Sequence, residues 1–249
     1  MSSLSLNDLR HYMTQRVASS DDEETIAVPQ NPQVGVGVVG PMLRSRDALL
    51  DRVLRSAGGE LPRALLVAGV SPSVDAAQVA IGLARALVHR NEKVVLVDLA
   101  KGASAVSGPL GMPRAPGFSD LAIGQASFAD VIRIDDDSSL QVITAGSPTA
   151  KSGEPEPDRF MPVFEALTHA YDCVVLHADL RSMQTLLAAL KFELSRVVAV
   201  LPEGASVDSE RSPLSTFRAL GSPVLLYEDC RKQRRKQRRM GLFNRSSVV

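Results

Sequence analysis

One stretch limits what this chain can fold into. Residues 64–70 read Ala-Leu-Leu-Val-Ala-Gly-Val, and after a short turn Val79, Leu83 and Leu87 recur four residues apart. The first part has no polar face, as a strand buried on both sides of a parallel sheet requires. The second repeats at the period of a helix, so a strand over Ala64–Val70 leads into a helix over Asp75–His89. The alternation continues. Strands are expected at Lys93–Asp98, Leu140–Thr144, Cys173–His177, Val197–Leu201 and Val224–Tyr227, and helices at Arg159–Ala170, Ser182–Lys191 and Ser209–Leu220. Short helices are expected near Phe118–Ile123 and Phe128–Ile132, and one over Ser45–Ser56 before the first strand. Six apolar strands separated by helices imply an α/β fold, a parallel β-sheet with helices on both faces. Ligands of such sheets bind at the carboxyl ends of the strands. Here those ends are Gly69–Ser73, Asp98–Lys101, Gly146–Ser147, His177–Asp179 and Leu201–Gly204.

The first strand-to-helix turn is where an α/β protein can hold a phosphate, on free N–H groups at a helix N-terminus. A phosphate loop there needs glycines, a lysine and a serine or threonine. This chain has Pro72, Ser73, Asp75, Ala76 and Ala77. Asp75, with Gln78 three residues on, has the pattern of an N-cap and its capping-box partner. A carboxylate about 4 Å from a phosphate oxygen would be repelled by ~4 kcal/mol per charge pair at a near-surface dielectric. The turn therefore has the position of a phosphate loop without its chemistry.

Charge is distributed unevenly. The 249 residues carry 28 Lys and Arg against 28 Asp and Glu, yet residues 231–249 hold eight of the cations and no acid. The rest of the chain is thus acidic, with 20 basic against 28 acidic side chains. Seven of the eight cluster at Arg231, Lys232, Arg234, Arg235, Lys236, Arg238 and Arg239, and the eighth is Arg245. A membrane surface, a partner's acidic loop, nucleic acid and the acidic cluster Asp21–Glu24 are all compatible with this tail. No aromatic or helix-turn-helix feature favours nucleic acid. Three segments follow: an N-terminal helix and flexible linker (1–44), an α/β domain (45–230) and a polybasic tail (231–249). Cys173 and Cys230 have no metal or redox spacing, and Cys173 in a buried strand reads as a core thiol. No apolar run is long enough for a transmembrane span and the N-terminus lacks a signal peptide, so a cytoplasmic protein is expected. With no Trp and three Tyr, an aromatic sugar-binding surface is disfavoured.

A longer signature lies downstream of the turn. It runs Val94-Val-Leu-Val-Asp98, Gly111-Met-Pro113, Pro116-Gly-Phe-Ser-Asp-Leu121, Gly124-Gln-Ala-Ser127, Val131-Ile132 and Leu140-Gln-Val-Ile-Thr-Ala-Gly146. With Tyr171-Asp-Cys-Val-Val-Leu176, it resembles the cytoplasmic domain of bacterial tyrosine kinases (BY-kinases) of exopolysaccharide and capsule co-polymerases. That family belongs to the deviant-Walker P-loop group with MinD and ParA. Ala122 stands where the family usually has leucine.

Carried over position by position, the resemblance implies a degenerate nucleotide site. Ala76 holds the place of the P-loop lysine, Ala77 that of the magnesium-binding serine, and Gln78 that of the threonine. Ser73 and Asp75 replace the glycines, while Pro72 is kept. Asp98 is kept, but Ala100 replaces its second aspartate, and His177 replaces the Walker B aspartate. The family's tyrosine-rich tail is here arginine-rich. Asp98 is read as bonding the loop after its strand. His177 is read as a structural or exposed histidine, since no other His or Cys falls at a matching strand end. Arg52 and Arg55 match the spacing of the family's oligomer-forming helix, with Leu49 in place of its glutamate. They are candidates to meet Asp75 of a second copy, against the plain reading of a solvated helix face.

The resemblance implies a non-catalytic, stand-alone adaptor peripheral to the inner membrane. It would dock on a membrane polysaccharide co-polymerase and support exopolysaccharide, capsule or holdfast synthesis and export. No metal or cofactor is expected, and ATP with Mg²⁺ is disfavoured. Two alternatives are an ATP-binding autokinase or ATPase with a rebuilt site, and a MinD/ParA-like positioning protein.

Overall fold

The computed structural model describes residues 40–55, 61–100, 105–148, 157–180, 182–183 and 193–229. The readings made for the N-terminal helix, nearly all of the linker, most of the Ser182–Lys191 helix, Cys230 and the basic tail lie outside them.

In chain order the elements are α1 (Arg46–Arg55), β1 (Ala64–Gly69), α2 (Ala76–Val88), β2 (Val94–Asp98), α3 (Phe118–Ala122), α4 (Phe128–Val131) and β3 (Ile132–Ile134). Then come β4 (Gln141–Ile143), α5 (Pro157–Ala170), β5 (Cys173–Ala178), β6 (Arg196–Pro202), α6 (Arg211–Arg218) and β7 (Val224–Asp229). The strands form one seven-stranded sheet in the order β3-β4-β2-β5-β1-β6-β7. Every pairing is parallel except that of β3 with β4.

That edge strand adds a seventh, antiparallel member to the six strands of the expected parallel sheet. The segment expected to end a short helix at Ile132 leaves the helix at Val131 and turns back along β4, pairing Ile132 with Ile143 and Ile134 with Gln141. Asp135 and Ser138 make the turn, with Asp135 N–H donating to Leu140 O (2.9 Å) and Ser138 Oγ to Asp135 Oδ2 (2.6 Å). Three residues are too few to show a period of two. A two-strand antiparallel pairing needs only a short turn, whereas a parallel one needs a crossover.

The central strands are buried on both faces, and alternate side chains feed two cores. Leu65 and Val67 of β1 pack with Leu49 and Val53 of α1 and with Val79, Leu83 and Leu87 of α2. Leu66 and Ala68 pack on the other side with Phe160, Phe164 and Leu167 of α5, Phe118 of α3 and Phe217 of α6. Among the described residues three layers result, two helices on one face and four on the other. Cys173 is fully buried in β5, and burial pushes its thiol up to about 12. Leu43 adds a bridge to Tyr227 of β7.

The Pro116–Leu121 and Leu140–Gly146 strings of the signature form one packed unit. Phe118 N–H donates to Thr144 O (2.7 Å), Ser119 N–H to Ala145 O (3.1 Å) and Gly146 N–H to Arg114 O (2.9 Å). The buried Asp120 carboxylate accepts from Gly117 N–H (2.8 Å) and Ser147 N–H (3.0 Å). On the α2 face of the sheet, the Arg85 guanidinium grips buried Asp135 with two bonds of 2.8 and 2.7 Å and reaches Asp137 at 2.9 Å.

These two carboxylates give the fold an acid limb. Burial alone would raise the Asp135 carboxyl, but the hydrogen bonds from Arg85 and Ser138 outweigh it and hold it below the ordinary range. Asp120 follows the same logic, with burial overcome by Ser147 and Gly117. Both folded-state values are depressed, so their contribution is fully present above the unfolded value of about 3.9 and is lost as pH falls through the folded values. The urea midpoint should therefore drop as pH is lowered below about 4. Arg85→Met should shrink that drop. An identical acid profile for the variant would contradict this assignment.

Candidate functional site

The strand order leaves a crevice at the carboxyl ends of β1, β2 and β5, where chain crossovers leave the sheet on opposite faces. A cavity of about 590 Å³ opens there. Its walls come from three strand ends and the first turn of α2, and include Gly69, Ser71–Ala77, Ala100, Ala105 and His177–Leu180. Of the residues singled out in the sequence, Pro72, Ser73, Asp75, Ala76, Ala77 and His177 all line it.

The turn is built as a helix start. Val74 N–H donates to Ser71 O (3.3 Å), and the Ser71 and Ser73 hydroxyls meet at 2.7 Å. At Gly69, the last residue of β1, the turn packs close: a Cβ there would lie 2.5 Å from Val74 Cγ2. Asp75 is the N-cap of α2, its Oδ1 accepting Gln78 N–H at 3.1 Å. The backbone N–H of Asp75 donates to Asp229 Oδ2 at 3.4 Å, joining the turn to the end of β7. Ala76 and Ala77 are buried and present only methyl groups.

Asp98 and His177, read separately in the sequence, are a pair. They are register partners on the adjacent parallel strands β2 and β5. His177 Nδ1 lies 2.9 Å from Asp98 Oδ1. The same carboxylate accepts Ala100 N–H (3.0 Å) and Val106 N–H (3.3 Å), so it does tie the loop after its strand. An acceptor-only carboxylate makes Nδ1 the donor, and in a neutral ring Nε2 is then an acceptor. The His177 side chain is only 6% exposed, and Asp98 is completely buried. Asp179, two residues past His177, caps the next turn by accepting Ser182 N–H at 2.7 Å and also lines the cavity. It belongs to a strand end legible in the sequence, but its cap could not be separated there from an ordinary loop residue. Asp229 was out of reach of local reading, because β7 runs two residues beyond the expected Tyr227.

Arg52 and Arg55 sit away from this cluster on α1. Arg55 pairs with Asp51 one turn back (2.9 Å), and Arg52 lies against the backbone at Gly40. The tail cations Arg231, Lys232, Arg234, Arg235, Lys236, Arg238 and Arg239 are outside the described residues.

Among the described lining residues, few groups match a magnesium nucleotide. Among the described residues that line the cavity there is no Lys or Arg. Asp75 places a carboxylate at the helix N-terminus, and Ala77 has no oxygen for a metal. Both oxygens of Asp98 are engaged by protein donors. No group of three or more His, Cys, Asp or Glu among the described residues is arranged to hold a metal ion. No helix among them is long and apolar enough to cross a membrane.

Solved structures with this fold are known. The kinase domain of the Escherichia coli tyrosine kinase ETK matches with a TM-score of 0.57 and 18% identity over 66% of this chain and 66% of that one. The VpsO kinase domain matches with a TM-score of 0.62 and 18% identity over 73% of this chain and 90% of that one. A ParA family ATPase from Chlorobium tepidum matches with a TM-score of 0.53 and 16% identity over 67% and 73%. No protein-family model and no curated protein sequence matches the chain. At these identities the likeness is one of fold: a mostly parallel seven-stranded sheet of the P-loop NTPase type, shared by BY-kinase domains and ParA-like ATPases.

Proposed function

We propose that this chain is a non-catalytic BY-kinase-like adaptor. It docks on a membrane polysaccharide co-polymerase, at the cytoplasmic face, and supports synthesis and export of an exopolysaccharide, capsule or holdfast. The observation that carries the reading is the first turn of α2. A capping carboxylate stands where phosphate would bind, and the described residues that line the cavity include no Lys or Arg to offset phosphate charge. Phosphoryl transfer depends on that electrostatic stabilisation. The intact packing of the Pro116–Gly146 unit beside this altered turn supports a scaffold kept for contact. The polybasic tail suits an anionic leaflet, where each cation near the surface contributes about 1 kcal/mol.

The experiment is a Mg-ATP titration by calorimetry with an autophosphorylation assay, followed by capture of the native chain from membranes. No heat of ATP binding, no phosphotyrosine and recovery of a co-polymerase are expected. Micromolar ATP affinity or tyrosine phosphorylation would sink the non-catalytic reading and favour a rebuilt autokinase. Co-purification with chromosomal DNA would favour a ParA-like positioning role.

A further inference from the structure

The sheet has an open edge at β3, and no described strand pairs with its outer side. Asp135 N–H donates inward to Leu140 O. Hydrogen-bonded and non-bonded pairs alternate along an antiparallel ladder, so the Ile134 N–H and C=O turn outward. The Ile134 side chain is the most exposed large apolar group among the described residues, at 65%. Acid surrounds it. Asp130, Asp136 and Asp137 are exposed and Asp135 is buried, four carboxylates against the guanidinium groups of Arg85 and Arg133. An open edge is a template for a further strand. Strand addition takes its affinity from main-chain bonds and its specificity from alternate side chains. Here the alternate positions read Ile132, Ile134 and then Asp136, where the turn begins.

We propose that the outer edge of β3 takes residues 238–242 of a second copy as an added antiparallel strand. That segment reads Arg238-Arg-Met-Gly-Leu242. The antiparallel register that sets Met240 opposite Ile134 also sets Leu242 opposite Ile132 and brings Arg238 level with Asp136. Opposite side chains are the ones that interact across a strand pair. A parallel strand would bring Arg238 to Ile132 and Leu242 to Asp136. A second β3 fits no better, since antiparallel pairing about Ile134 sets Asp136 against Ile132 and gathers like charge. Reach assigns the tail to another copy. β7, which the tail follows, is the opposite edge of the sheet. Seven strand spacings separate it from a strand added beyond β3, about 34 Å in a straight line. Arg238 is nine residues past Asp229, and nine residues span at most about 32 Å. The path around the helices is longer still. With tail and acceptor at opposite edges the contact is heterologous, so copies join head to tail. The inference stands apart from the adaptor reading, because it uses neither the cavity nor a co-polymerase.

The test follows the full chain by sedimentation velocity across a concentration series. The parent should self-associate at about 0.1 M salt and come apart at about 1 M, where the screening length falls from about 10 Å to about 3 Å. Ile134→Lys puts a charge on the open edge and should weaken association about tenfold. Asp136→Arg and Arg238→Glu should each do the same, because like charges then face each other. The chain carrying both of these changes should associate like the parent. Ile134 and Asp136 are exposed, so circular dichroism should show parental melting for their variants. A parent that stays monomeric overturns the proposal. So does association that Ile134→Lys leaves unchanged, or a double variant that associates no better than the two single ones. Phosphatidylglycerol vesicles are the competing surface. If they capture the parent while the free chain does not self-associate, the tail belongs to lipid and the proposal falls. Should Ile134→Lys fail to fold, the charge exchange decides alone. Failure to recover a co-polymerase from membranes would remove the adaptor reading and leave these outcomes unchanged.

Discussion

Asp98→Ala should lower the unfolding free energy by about 3–5 kcal/mol, a large share of what a domain of this size has. The carboxylate is completely buried and holds three donors: Ala100 N–H, Val106 N–H and His177 Nδ1–H. Alanine strands all three. Each buried donor left without a partner costs about 1–3 kcal/mol. Some of that is recovered if the loop opens to water. Asp98→Asn keeps one acceptor oxygen for Ala100 N–H and His177 Nδ1–H but sets an NH₂ donor against Val106 N–H, so it should lose about half as much. Urea unfolding followed by circular dichroism measures both. A loss under about 1 kcal/mol for the alanine variant would mean that the network does not hold the loop.

Gly117→Ala should cost about 3 kcal/mol, the upper end of what overpacking does. A Cβ on Gly117 would lie 2.2 Å from Thr144 O and 2.4 Å from Gly146 N. Both are backbone atoms, so no side chain can swing aside. Relief must come from separating α3 from the end of β4, which breaks the Phe118 N–H to Thr144 O bond. Gly124→Ala is the control. Nothing lies within 4 Å of its Cβ position, and only its φ of +74° resists, at about 1–2 kcal/mol. If the two variants melt together, close approach is not what the Pro116-Gly-Phe motif encodes.

The order of elements was legible because the central strands declare themselves over five to seven residues and α1, α2 and α5 over about three turns or more. Val79, Leu83 and Leu87 are all buried, and so are Leu49 and Val53 of α1. β3 was not legible. Ile132, Arg133 and Ile134 form a strand only because β4 lies ready to pair with them. Likewise β7 runs on to Asp229 because Leu201 and Pro202 of β6 pair with Glu228 and Asp229. Such extensions depend on a neighbour and leave no local mark.

The candidate site divides along the same line. A helix cap is decided within four residues, so Asp75 and Gln78 announced the start of α2, and the sequence alone determined that much. A turn without phosphate chemistry is the expectation that the missing lysine and serine add. Asp98 and His177 lie 79 residues apart. They became one unit only when β2 and β5 lay side by side in a register that sets them opposite each other. Nothing near His177 in the chain distinguishes a buried, oriented imidazole from an exposed one. Side chains meet through strand order and register, and these are settled by packing across the whole sheet.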